Sequence, residues 1–137
     1  MKKQFSKSWN TSKQPRKQRK YIANAPLHVK RSMIVSRLSK ELSKKYGRRN
    51  ITLKRGDKVK IFRGNFKSHT GKVERVLTKA MRVYVEGAQL TKRDGNKSYY
   101  PMYASNLIIT ELNLEDKRRQ QSLGKNKKTV IVETKNE

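Results

Sequence analysis

Nucleophiles, acid–base pairs and metal boxes are the groups that would make this chain an enzyme, and they are scarce. There is no cysteine among the 137 residues, which excludes a thiol nucleophile, disulfide stapling and any Cys-ligated zinc or iron–sulfur site. The two histidines, His28 and His69, lie far apart, with no second nitrogen at ligand spacing, so neither is read as a metal ligand. No carboxylate pair stands at catalytic spacing among only 10 Asp and Glu. Asp57, in a Gly56-Asp57 step, is most simply the residue whose side-chain oxygen caps a turn, with no partner to make it a general base. We expect no enzyme, no cofactor and no metal. What remains is charge: 36 Lys and Arg give a net +26, and a self-repelling charge of that size calls for an anionic partner.

The charge is graded along the chain. Residues 1–50 carry 16 Lys or Arg against the single acid Glu41, residues 51–107 carry 13 against 4, and residues 108–137 carry 7 against 5. The run Lys13, Arg16, Lys17, Arg19, Lys20 has too little apolar side chain to offset its ordering entropy, so we expect it to be loose in isolation and to fold along nucleic acid. Arg31, Arg48 and Arg49 extend the same candidate phosphate-binding set, since the planar guanidinium binds phosphate bidentately or stacks on a base. No stretch approaches the roughly 18 apolar residues of a membrane span. Met1 to Asn10 lacks the apolar core of a secretory signal, which points to the cytosol.

Several elements must position these groups. Pro26 biases Ala25 toward an extended conformation and suits the first turn of a new segment. Ile34, Leu38, Leu42 and Tyr46 recur every fourth residue and predict a helix packed on the domain, capped by Ser36 or Ser39 and stopped by Gly47. From Lys58 the pattern alternates, putting Val59 and Ile61 inside and Lys58, Lys60 and Arg63 outside. Gly64 to Gly71 reads as a loop, and further strands are expected at 72–76, 81–87, 99–103 and 106–110, with a turn near Thr78 to Ala80. Five short strands with glycines at the corners suggest a small, closed or nearly closed barrel. Gln89 to Lys97 reads as a hairpin whose Asp94-Gly95 turn presents Lys92 and Arg93, either to phosphate or to solvent. Asn113 caps a short helix ending at Gly124, and Thr129 to Thr134 has strand-like residues.

The stretch Gly56-Asp57-Lys58-Val59-Lys60-Ile61-Phe62-Arg63-Gly64 through Lys67-Ser68-His69-Thr70-Gly71-Lys72-Val73 resembles the KOW motif of ribosomal and transcription-elongation RNA-binding modules. Joined to the arm Ser12 to Lys20 and to Asn24-Ala25-Pro26-Leu27-His28, it is similar to the large-subunit ribosomal protein L twenty-four family, in the archaeal form related to eukaryotic L twenty-six. Leu38 to Leu42, Tyr100-Pro101 and Ser105-Asn106 carry the same likeness, which covers residues 12–120. Many members have glycine where this chain has Ser68, so the loop from Lys67 to Thr70 is expected to turn differently.

The resemblance implies a mainly β fold with α: a basic, partly helical N-terminal arm over 1–49, a KOW SH3-like barrel over 50–111, and a C-terminal helix and tail over 112–137. It implies a structural protein of the large subunit that binds its rRNA, acts early in assembly and lies near the polypeptide exit tunnel of cytoplasmic ribosomes. The partners would be that rRNA, neighbouring large-subunit proteins, and nascent-chain or exit-site factors. Within the module, Lys54, Arg55, Arg63, Lys67 and Lys72 join His28, Lys92, Arg93 and the arm cations as candidate rRNA contacts. Gly56, Asp57, Gly64 and Gly71 shape the turns, the glycines also admitting close approach of main chain to RNA. Phe66 could stack on a base or serve as a core or lid residue. The nearly neutral C-terminal segment suits a protein neighbour better than RNA. The competing readings are a KOW-type transcription elongation factor and a DNA-compacting protein.

Overall fold

Pro15 fixes its own φ at a helical value and needs no N–H partner in a first turn, and with it the basic arm starts a helix. In the computed structural model, which describes residues 5, 6, 8 and 11–124, α1 spans Pro15–Asn24 and buries none of its residues. The segment expected to be loose is therefore helical. Ala25, at ψ 134, leaves the helix because Pro26 disfavours the α region before it. The Pro26 carbonyl then accepts from Val29 and Lys30 N–H as α2, Leu27–Met33, begins.

The fourfold apolar spacing after Met33 misleads. Residues Val35–Leu38 form strand β1, and the helix α3 occupies only Lys40–Tyr46. Ile34, Ser36 and Leu38 also alternate, and all three are buried, so a period of two fits as well as a period of four. Tertiary pairing decides between them: β1 lies between β2, Asn50–Thr52, and β8, Leu107–Glu111, antiparallel to the first and parallel to the second. Ser36 is not a cap, since its hydroxyl is buried and donates to the Ala104 carbonyl at 2.6 Å. Ser39 is the cap, accepting from Leu42 N–H at 3.3 Å, and Gly47 closes the helix in the left-handed conformation at φ 60.

The strands after Gly56 follow the alternation. They are β3 over Lys58–Ile61, β4 over Thr70–Leu77 and β5 over Arg82–Val85, with the tight turn at 78–81 between the last two. Gln89–Thr91 and Lys97–Tyr99, β6 and β7, form the expected separate hairpin, with Gly95 at φ 78 in its turn. The expected strand at 99–103 is reduced to a bridge between Met102 and Val83. The main sheet runs β2-β1-β8-β3-β4-β5. It does not close into a barrel, yet it wraps one core in which Ile34 and Leu38 from one end join Val83 and Val85 from the other, around Val59, Ile61, Leu107 and Ile109. The sheet thus reaches back into the segment read as arm.

A C-terminal helix, α4, spans Lys117–Gly124. It starts later than Asn113, because Asp116 accepts from Arg118 N–H at 2.9 Å while Asn113 makes the same contact with Glu115 N–H at 3.0 Å. The strand-like run Thr129 to Thr134 lies outside the described residues.

Candidate nucleic-acid interface

At about 100° per helical residue, Arg16, Lys17, Arg19 and Lys20 fall within an arc of about 160° on α1. All four are exposed, with Lys13 exposed just ahead of the helix. No acid precedes Glu41, so this face has no neutralising neighbour in its own sequence. α1 is held at its end by Lys30 of α2, which is 9% exposed and donates from Nζ to the carbonyls of Ala23 and Lys79, each at 3.4 Å. One buried lysine thereby anchors the arm to the β4–β5 turn. His28 and Arg31 of α2 remain exposed.

The β3–β4 loop is fixed by its own backbone. Ser68 N–H donates to Ile61 and Lys67 N–H to Gly64, at 2.8 and 3.0 Å. Gly64 has φ 101 with nothing near where a Cβ would stand, so main chain is open to an approaching partner there. Gly71 has a different reason: an added Cβ would lie 2.4 Å from the Glu86 carbonyl, so it admits the neighbouring strand rather than an unusual angle. Ser68 adopts φ 72, keeping the left-handed turn that a glycine would take there. Arg63 and Lys67 are exposed on this loop and Lys72 follows on β4. His69 points back, its ring Nε2 2.9 Å from the Glu86 carbonyl. Phe66 packs on Tyr100 with centroids 5.5 Å apart and against the core, which makes it a lid residue rather than an open stacking surface. Lys92 and Arg93 stand exposed at the tip of the β6–β7 hairpin.

Other predicted RNA-binding cations have protein partners. Arg48 donates to the Ser122 carbonyl at 2.8 Å and so ties the end of α3 to α4. Lys54 pairs with Asp116, whose carboxyl is held below its ordinary value first by that bond and then by the Arg118 N–H. Arg49 and Arg55 stay exposed. A cleft of about 660 Å³ opens between α2, β4 and the segment before α4, lined by Arg31, Arg55, Arg75 and the acids Glu74, Glu115 and Asp116.

Asp57 does cap its turn, accepting from Lys54 N–H at 2.8 Å, but it does more. The side chain is fully buried and also accepts from Asn113 N–H at 2.9 Å and from both terminal nitrogens of Arg119, at 2.6 and 2.8 Å. This bidentate pair, with buried Leu123, seats α4 on the domain. Sequence reasoning missed Arg119 because nothing local separates it from Lys117 and Arg118; only the contact with residue 57 does. It also missed Arg82, although the alternation that buries Val83 and Val85 turns residue 82 outward. Arg82 covers the ring of Tyr103, 3.5 Å from its centroid.

The arrangement offers exposed cations and no assembled acid–base or nucleophile group among the described residues. Residues 12–126 match the family of ribosomal proteins L26 (eukaryotic) and L24p (archaeal). The chain is also 46% identical over 114 residues to the large ribosomal subunit protein uL24 of Methanosphaera stadtmanae, covering 83% of this chain and 97% of that protein.

Proposed function

The chain belongs to the ribosomal protein family of eukaryotic L26 and archaeal L24p, and from that premise we propose how it serves as a structural constituent of the large ribosomal subunit. It clamps large-subunit rRNA without catalysing a reaction. Lys and Arg side chains displace condensed counterions from phosphates, so RNA segments that repel one another can approach. α1 supplies Arg16, Lys17, Arg19 and Lys20 to a crevice of folded RNA, with Lys13 ahead of it and His28 and Arg31 on α2, and Arg49 adds a contact from the segment before β2. The second contact is made by Arg63, Lys67 and Lys72 around the open backbone of Gly64, and the third by Lys92 and Arg93 at the hairpin tip. Arg55 adds to the set, whereas Arg48 and Lys54 act chiefly by holding the C-terminal segment.

The observation that carries this reading is the arc of four exposed cations on α1 within an acid-free stretch, attached to a rigid domain by buried Lys30. Early action in subunit assembly fits a protein that neutralises and joins RNA segments. A site near the exit tunnel of cytoplasmic ribosomes, with neighbouring subunit proteins and exit-site factors as further partners, completes the proposal. Among the described residues no helix is long and apolar enough to cross a membrane.

The test is binding of the full chain to large-subunit rRNA and to random RNA of equal length across a salt series. We expect preference for the rRNA. Arg16→Gln, Lys17→Gln, Arg19→Gln and Lys20→Gln together should lower the salt slope by roughly 0.7 to 0.9 for each phosphate that is no longer neutralised. Equal binding to both RNAs would sink the rRNA reading, and an unchanged slope would remove α1 from the interface.

A further inference from the structure

One end of the sheet combines exposed aromatic rings with arginine. Phe62 directly follows β3, and its N–H donates to the Asn106 carbonyl at 2.8 Å; Asn106 N–H in turn donates to Tyr103 at 3.0 Å. These two bonds bring residues 62 and 103, far apart in sequence, to the same edge. Alternation along β3 buries Val59 and Ile61 and turns Phe62 outward, where it is 53% exposed. Tyr103 is 49% exposed. Covering these exposed rings would recover hydrophobic free energy.

Each ring already has an arginine at hand. The Arg63 guanidinium lies 5.7 Å from the Phe62 centroid, and that of Arg82 lies 3.5 Å from the Tyr103 centroid. Arg82 covers Tyr103, and the ring nonetheless stays half-exposed. Residues 58–63 and 95–110, which carry the two rings, hold Lys58, Lys60, Arg63 and Lys97 and no acid, while Glu74 lies on β4 and Glu111 ends β8 paired with Lys58. The balance of charge favours a polyanion over an acidic protein surface. Flat, half-exposed rings flanked by guanidinium planes in a cationic setting suit unstacked nucleobases, which bind aromatic and arginine faces through their π-surfaces.

We propose that Phe62 and Tyr103, with Arg63 and Arg82, form a stacking platform for unpaired bases of RNA. The platform rests on the RNA-binding reading above but differs in kind, since its rings recognise base faces where the α1 and loop cations, Arg63 among them, recognise phosphate. It moves the stacking role from Phe66, which packs on Tyr100, to rings that sequence alone does not bring together.

The experiment compares the full chain and its variants on two probes at fixed salt: an adenosine oligomer of about twelve nucleotides and an abasic ribose–phosphate oligomer of equal length. Phe62→Ala and Tyr103→Ala should each weaken binding of the adenosine oligomer about ten-fold while leaving the abasic oligomer and the salt slope unchanged. Phe62→Tyr should restore binding, and circular dichroism should report an unaltered fold, because both rings lie outside the buried core. Equal losses on the two probes, or no loss on the adenosine oligomer, would overturn the platform while leaving phosphate binding in place. Failure of the unaltered chain to bind either oligomer would overturn both.

Discussion

Replacing Asp57 by alanine is the perturbation for which the structure gives the largest expected cost. Arg119 would keep its charge at 5% exposure with its carboxylate gone, and the amides of Lys54 and Asn113 would each be deprived of an acceptor. Removing one partner of a buried pair typically costs about 3–5 kcal/mol, and a buried amide left without an acceptor costs about 1–3 kcal/mol. Relaxation lets water reach part of the site, so we expect about 4 kcal/mol, a large share of the 5–15 kcal/mol typical of a domain. Urea unfolding followed by circular dichroism is the suitable assay. The double variant Asp57→Asn with Arg119→Met should cost less than the sum of its single changes, since neither charge is then buried alone. A cost below about 1 kcal/mol for Asp57→Ala, or strict additivity, would refute the claim that this pair seats α4.

Three other outcomes are expected. Gly71→Ala should destabilise the domain by about 1–3 kcal/mol, because the new Cβ would meet the Glu86 carbonyl at 2.4 Å across paired strands; thermal unfolding reads it. Ser39→Ala should cost about 1 kcal/mol through removal of the α3 cap on Leu42 N–H, measurable in urea. Asp116 has a lowered folded pKa, through the Lys54 bond first and the Arg118 N–H second. Its contribution is therefore present above the ordinary value of 3.8 and lost as pH falls through the lower folded value. Asp116→Asn should flatten that acid-side loss in a pH series of urea midpoints, and an unchanged series would show that the pair contributes nothing.

Local sequence was informative where one residue type answers one local demand. The alternation from Lys58 specifies β3 because every second side chain of a half-buried strand meets the core. Asp57 beside Gly56 specifies a turn, Gly47 a helix end and Asp94-Gly95 a hairpin, because each residue suits a backbone geometry set within a few positions. The family resemblance was likewise legible, since it rests on the order of the residues, and so was the excess of cations, which called for an anionic partner.

Tertiary structure decided the rest. Ile34, Ser36 and Leu38 satisfy a period of two as well as a period of four, and the strand forms because β2 and β8 offer hydrogen-bond partners on both sides. Phe62 and Tyr103 come to one end of the sheet through the β3–β8 pairing and the Asn106 bonds that extend it. Arg119 differs from the neighbouring Lys117 and Arg118 by meeting Asp57, 62 positions away. Charge and periodicity are properties of neighbouring residues and can be read along the chain. Which cation is buried, and which faces outward to solvent, depends on contacts between distant segments, and those exist only once the sheet has formed.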